Sequence, residues 1–493
     1  MARNVSYHFY AAVKMDGEER SDVSVRNKFL KYLSYITVEP TLVLYMMAFM
    51  TTSVVEQSFY VYKSCSVNHR YNDTICHNMN DKRYENITKE VQKTTSVFHL
   101  WNNIASHGVP VILALFMGSW SDRRGRKLPL LIGLTGKLYF SAMIVVNTLK
   151  TDWPVEYIIY TASAPSAMTG ADVAIFAAAY AYLCDVSSPR HRTTRVTIME
   201  VCYLATMPTG VALGSFLFNK VLNKSYTIMF VINTILMALS VIYTLIRLDW
   251  QSNEHQRPLS EAKNIFLDFF DYNHVVATVK TITKKRRNNR RTYLYCLIIM
   301  MSIYVFQRDE REVMYMYCQL VFNWTLGQFS NFRTFQSALQ DAVLLIAMPL
   351  MSGLLGWRDT AIAMLGAAAH ATARIFYSAA NVAYVFYIGG VFASFGPIVA
   401  PVIRSMVSKI VSNSEKGKAF SVLSVADNAV PVISGVCYGA LYKSTLSSHP
   451  SAIFYLTMGT QIGVFMLVLY IHIKTDSREF EGDEVEAESA QQT

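Results

Sequence analysis

Long apolar runs recur along the whole chain, separated by short polar connections. Each is close to the about 20 residues needed to carry a helix across some 30 Å of hydrocarbon, where lipid offers no partner to an unpaired backbone group. Six fall in the first half, at 38–62, 97–120, 128–149, 155–183, 196–221 and 226–246. Six more fall in the second, at 292–321, 335–355, 360–377, 382–407, 419–442 and 452–473. The pattern predicts an all-α polytopic membrane protein with twelve transmembrane helices in two six-helix bundles.

Five segments follow: an N-terminal stretch 1–37, a first bundle 38–248, a polar basic linker 249–291, a second bundle 292–473 and an acidic tail 474–493. The first 31 residues are polar and mixed in charge, without the short apolar core of a cleavable leader, so the first span is expected to direct insertion. The tail carries the acidic stretch 479–488 and reads as solvated.

Composition agrees with the periodicity. Apolar residues make up 52% of the 493 positions and charged residues only 16%, which is wrong for an ordinary soluble protein of this size. The net charge of +10 could signal nucleic acid, so its placement decides. The basic residues fall on alternate connections: Arg123, Arg124, Arg126 and Lys127, then Arg190, Arg192 and Arg195, then Lys284 to Arg291, then Lys409, Lys416 and Lys418. Cytoplasmic loops carry this excess, so these loops and both termini are expected inside, gripping anionic lipid, with no nucleic-acid partner. Asn-x-Ser/Thr sequons at Asn72, Asn86, Asn223 and Asn323 all fall on the opposite connections, where glycosylation is possible.

Cys184, Cys202, Cys296 and Cys437 lie in apolar segments and read as small buried thiols. Cys65, Cys76 and Cys318 lie in or near the outer connections, where a disulfide is permitted. No cysteine spacing suggests a metal, and no cofactor motif is present. No nucleophile, base and orienting group cluster at useful spacing, so an enzyme is not expected.

Between the second and third spans stands Gly118-Ser-Trp-Ser-Asp122-Arg123-Arg124-Gly125-Arg126-Lys127. It resembles the G-x-x-x-D-R-x-G-R-[RK] signature of the major facilitator superfamily at every fixed position. The glycines suit a tight turn, Asp122 can face helix N-termini of the other half, and the arginines can pair with carboxylates or lipid phosphate. The resemblance implies a gating latch made of Gly118, Asp122, Arg123, Gly125 and Arg126.

Ionisable residues inside spans are expensive and mark function by default. Asp172 in the fourth span and Glu200 in the fifth are candidates to exchange protons. Arg404 closes the tenth span, where a fixed cation could hold an anionic solute or a partner carboxylate. The seventh span contains Arg308-Asp-Glu-Arg-Glu312; such a run must line water, pair across helices or break the span, unless the helix ends early and leaves the charges outside. Asp427, Asp341, His370 and Arg374 are further candidates, the last two at i and i+4 on one helical face.

Further stretches carry a narrower resemblance: Val38-Glu39-Pro40 opening the first span, Glu90-Val-Gln-Lys93 ending the first outer loop, Ala181-Tyr-Leu-Cys-Asp185 before the basic loop, and Pro401 through Arg404 to Ser414-Glu415-Lys-Gly417. With these the chain resembles the proton-coupled folate transporter family and its lysosomal and insect relatives. The resemblance implies a proton symporter of a small organic anion such as a folate, in the plasma membrane or alternatively an endolysosomal one. It matches Glu200 to the proton-coupling carboxylate, Asp172 to a family aspartate on the fourth helix, and Arg404 to the family arginine ending the tenth; Asp427, Arg374 and His370 are expected as further substrate contacts from their placement inside spans. It implies a bridge from Cys76 to Cys318, with Cys65 a local alternative. The charged seventh span looks like the insect branch and unlike the folate carriers. A carrier of another amphipathic anion, such as a cyclic dinucleotide or muropeptide, or a non-transporting receptor on the same fold, are the competing readings.

Overall fold

The computed structural model describes residues 36–187, 189–252, 256–257, 261, 268–270, 272, 276, 280, 283–286, 289–411 and 416–474. The expected acidic tail and most of the N-terminal stretch and of the linker, with the charges at Arg287, Glu479 and Glu488, lie outside the described residues. Two compact units are distinguished, Met1–Thr37 and Val38–Thr493, and the second holds every element below.

The first half comprises α1 (Glu39–Lys63), α2 (Glu85–Arg124), α3 (Lys127–Leu149), α4 (Ala171–Val186), α5 (Pro189–Phe216) and α6 (Tyr226–Arg247). The second comprises α7 (Arg290–Val305), α8 (Glu310–Val321), α9 (Leu326–Ala342), α10 (Asp359–Ala379), α11 (Ala383–Ala393), α12 (Val399–Ile410), α13 (Lys416–Thr445) and α14 (Ala452–Lys474). Among the described residues, nine helical stretches are long and apolar enough to cross a membrane. The α7–α8 pair, α10 and α13 occupy the remaining three places of the twelve, and each carries buried or paired charges. Apolar side chains such as Leu239, Ile242 and Ile246 on α6 project outward, as lipid-facing residues do.

Each half packs internally, α1 against α5 and α6, α3 against α4 and α6, then α10 against α11 and α14, and α7 against α13 and α14. The halves meet chiefly along two pairs, α2 with α13 and α5 with α9, with smaller contacts of α8 on α1 and α2 and of α9 on α1. Glycines on α13 permit the closer of these: a Cβ at Gly435 would stand 2.7 Å from Asn103 Cβ, and one at Gly439 would stand 3.0 Å from the Ser96 carbonyl. Small residues at such crossings let backbones approach where lipid supplies no hydrophobic drive.

The apolar clusters are distributed unevenly. At the end bearing the sequons, Val54, Val91 and Phe218 of the first half share one core with Tyr315, Phe329 and Tyr442 of the second. At the opposite end, a cluster around Leu130 and Tyr182 belongs wholly to the first half and one around Leu297 and Val407 wholly to the second. The sequon end is therefore sealed by shared packing; among the described residues no apolar cluster joins the halves at the end with the basic motif.

Two boundaries differ from the sequence reading. The second helix starts at Glu85, twelve residues before its apolar run, because Thr88 and Gln92 are buried in contacts above the membrane stretch. The eighth starts at Leu326 on a capping box between Thr325 and Gln328. Asn72, Asn86 and Asn223 are exposed and Asn323 half-buried, all at the sealed end.

The implied Cys76–Cys318 bridge is corrected. Cys65 pairs with Cys76 at a Cα separation of 5.7 Å. The chain after α1 turns back on itself through a Tyr71 N–H to Cys65 carbonyl bond, which brings the two cysteines together. Cys318 is instead fully buried inside α8 among Tyr317, Trp324 and Phe329, a free thiol.

Candidate functional site

The charge run of the seventh span neither ends the helix nor lies outside it. The α-helix gives way to a 3-10 turn at Phe306–Asp309 and resumes as α8, so the five charges point in different directions. Glu310 turns into the second half, where Arg374 donates two hydrogen bonds to it at 2.9 and 3.2 Å and Thr457 a third. Asp309 accepts from Ser434. Glu312 points across to the first half, accepting from Asn103 at 3.2 Å and facing His99 Nδ1 at 3.2 Å.

Arg308 and Arg311 face a gap between the halves. Arg308 is exposed and reaches only the Asp427 carbonyl, at 3.5 Å; among the described residues neither arginine makes an ion pair. Arg404 bonds Asp427 at 2.9 Å and remains half exposed. Opposite, α4 and α5 contribute Tyr180, Glu200 and Tyr203. Tyr180 donates to the exposed Glu200 carboxylate. Tyr203 lies within electrostatic range of Glu200, Arg308, Arg311 and Arg404, and Tyr180 within range of Arg404, so these groups of the two halves stand near one another. Three cations there face two carboxylates, Glu200 and Asp427.

The other candidates separate from this group. Asp172 is held by Lys137 at 2.9 Å and by the Tyr45 hydroxyl, within the first half. Arg374 is buried against Glu310 with its guanidinium 5.5 Å from the Tyr377 ring, and His370, although on the same face, is buried with Nδ1 unpartnered. Asp341 is buried with both carboxylate oxygens unpartnered, just before a π-helical turn at Val343–Ala347. Sequence reasoning passed over Glu56, His99, His107 and Lys137, all ionisable and all within apolar spans; that placement was itself the available signal.

The basic motif is clamped by the linker. Arg124 donates two bonds of 2.8 Å to the Asp268 carboxylate, the Trp120 indole a third at 3.0 Å, and Arg123 bonds the Asp268 carbonyl. Phe269 and Phe270 pack on Phe116 and Trp120. Arg126 pairs with Asp185 at 3.1 Å. Gly125 has φ +104, and a Cβ there would lie 2.6 Å from the Trp250 carbonyl, so only glycine fits. A Cβ at Gly118 would meet nothing within 4 Å. The Asp122 side chain lies outside the described residues.

Hydrogen bonds from Arg124 hold the Asp268 carboxyl below its usual range. A carboxyl lowered in this way stabilises the docked linker above the ordinary carboxylate value of about 4, and the contribution is lost as pH falls from there through the bound value. Asp268→Asn should mimic that loss at neutral pH. We expect roughly tenfold faster tryptic cleavage between residues 250 and 291, the equivalent of about 1.5 kcal/mol for charged hydrogen bonds; an unchanged rate would remove the clamp.

The Major Facilitator Superfamily model matches residues 94–357, more than half of the chain. The chain belongs to the Major Facilitator Superfamily. Within it, the chain is similar to the probable peptidoglycan muropeptide transporter SLC46 of Drosophila melanogaster, 24% identical over 462 residues that cover 89% of this chain and 85% of the relative. It is likewise 24% identical to the proton-coupled folate transporter of Rattus norvegicus over 396 residues, 79% of this chain and 82% of that one. The resemblance seen in the sequence is thus borne out. A D-xylose-proton symporter structure superposes with a TM-score of 0.62 at 13% identity, covering 91% of this chain and 99% of its own, and shares the fold. The protein is a multi-pass membrane transporter of this superfamily.

Proposed function

We propose that the chain is a proton-coupled symporter of an organic anion, working by alternating access of its two halves about the gap between Glu200 and Arg311. The observation that carries this reading is a surplus of cation between the halves: among the described residues Arg308 and Arg311 lack ion-pair partners, and the Glu200 carboxylate stands near them beside Tyr203. Unpaired cations within membrane-spanning helices are costly unless a ligand neutralises them, so an anion completes the site. Arg404 and Asp427 hold each other until solute competes for the arginine, and Asp172 stays paired with Lys137 as a reserve carboxylate.

In this reading the basic motif gates, through Gly118, Asp122, Arg123, Gly125 and Arg126, with the linker clamp steadying it. The sequon end faces outside and the basic end and both termini face the cytoplasm, so the present state is closed to the outside. The plasma membrane suits the sequons, with an endolysosomal membrane as the alternative.

The test is uptake of a labelled reduced folate by cells displaying the glycosylated chain, at acidic and neutral external pH. Uptake should be stimulated by acid, and Arg311→Gln should lower it roughly tenfold or more, the loss of one charge-assisted contact of about 1.5–3 kcal/mol. The similarity to a muropeptide transporter supplies a second anion: competition by a muropeptide and not by folate would assign the gap to peptidoglycan fragments. Uptake of neither, nor of other organic anions, would overturn the reading.

A further inference from the structure

Among the described residues every ion pair but one stays within a single half or ties a half to the linker. Glu39 with Arg195, Asp172 with Lys137 and Asp185 with Arg126 belong to the first half; Glu310 with Arg374, Asp359 with Lys409 and Asp427 with Arg404 belong to the second. The exception is Glu312 of α8, which meets His99 and Asn103 of α2. The other hydrogen bonds that α2 makes to the second half at this end are neutral: Gln92 donates to the Met316 carbonyl at 2.9 Å and to Gln319 at 3.1 Å on α8, and accepts from Tyr442 of α13. Glu312 and His99 therefore form the titratable link across the sealed sequon end. Rocking of the halves that opens this end must break it.

We propose that Glu312 is a proton-binding site of the transport cycle, loaded when the sequon end opens and unloaded when His99 and Asn103 close on it. The inference rests on the alternating-access reading above and adds a second carboxylate to Glu200. Closed, Glu312 Oε2 accepts from Asn103 and faces His99 Nδ1, contacts that are stronger to the ionised carboxylate than to the neutral acid. Open, it loses both contacts while still two-thirds covered and within range of a second carboxylate, Glu56, so a bound proton removes the cost of the charge. On closure the carboxyl O–H bond breaks and the proton passes to water through the exposed third of the side chain.

The groups facing Glu312 are compatible with this traffic. From α1 come Glu56, bonded to the Tyr60 hydroxyl, and Tyr60 itself; from α2 come His99 and His107. Beyond them Lys137 and Asp172 lie within range of His107. On its own span, Asp309 is within range of Glu312 but is bonded to Ser434 of the same half, and Tyr438 of α13 faces Asp309 and Glu310. Asp309 crosses no interface, so opening does not release it.

A readout of the gate independent of any solute separates this proposal from the transport reading. The full-length chain in lipid nanodiscs would carry nitroxides on ketone-bearing residues introduced at Lys224 and Ser448, exposed positions on the sequon-end loops of the two halves. Acidification from mildly alkaline to mildly acidic pH should enlarge the long-distance population roughly fivefold or more. Glu312→Gln should keep the long population at every pH, with a change under about twofold. His99→Gln, which keeps a neutral donor, should move the midpoint up by about one pH unit, and Asp309→Asn should leave it in place. A wild-type gate indifferent to pH, a Glu312→Gln chain that titrates like wild type, an unmoved midpoint in His99→Gln, or loss of the response in Asp309→Asn would each overturn the proposal. A chain that moves no anion yet shows the pH-driven opening would refute the symport reading and keep the Glu312 site.

Discussion

Arg374→Ala should destabilise the second half by about 3–5 kcal/mol, the cost of leaving a buried carboxylate without its counter-ion. Arg374 and Glu310 have side chains 4% and 1% exposed, and two of the hydrogen bonds to Glu310 come from the guanidinium. Thr457 alone cannot neutralise the charge that remains. Thermal unfolding of the purified chain should show the midpoint falling by roughly 10 °C. Replacing both partners together, Arg374→Met with Glu310→Leu, should recover most of the loss, because well-packed apolar residues substitute for a buried pair at little net cost. Normal stability in Arg374→Ala, combined with lost uptake, would return Arg374 to the substrate contacts that its spacing from His370 suggested.

Much of the fold was legible because the membrane imposes one rule, a run of apolar residues of fixed length for each crossing. Even the charged seventh, ninth and eleventh spans were visible, since their flanks are apolar enough to mark a helix. The rule is silent beyond the lipid, and there the sequence reading erred: α2 begins at Glu85 through polar contacts outside the apolar run. The Thr325/Gln328 capping box was present in the sequence and would have moved the eighth helix to its proper start. The disulfide went astray for a different reason. Pairing depends on how a loop folds back, and the Tyr71 to Cys65 backbone bond that decides it has no sequence signature.

The site was legible in its parts but not in its pairings. Glu200 and Arg404 each lie within range of Tyr180, one on either half. Which carboxylate meets which cation depends on helix rotation, and a 3-10 turn of four residues reorients the seventh span so that Glu310, Arg311 and Glu312 serve three different neighbours. Hydropathy averages that turn away. Asp268 was missed because the linker reads as basic overall, which hid the one carboxylate that meets Arg124.

Glu200→Gln should abolish accumulation driven by pH while leaving exchange of anion for anion. Each pH unit of gradient contributes about 1.4 kcal/mol per proton, so one or two units concentrate an anion roughly ten- to a hundredfold when one proton moves with it. The glutamine keeps a hydrogen-bond acceptor for Tyr180 and removes the titration, so the halves can still rock with solute bound. The exchange limb distinguishes a lost coupling group from a broken fold. The decisive measurement is therefore made in one preparation of proteoliposomes: labelled anion inside and outside, with and without an imposed pH gradient, for the wild-type chain and Glu200→Gln. The account predicts acid-driven accumulation and exchange for the wild type, and exchange alone for the variant. Full accumulation by Glu200→Gln would contradict the assignment of the coupling carboxylate, and exchange without gradient-driven accumulation in the wild type would contradict proton coupling itself.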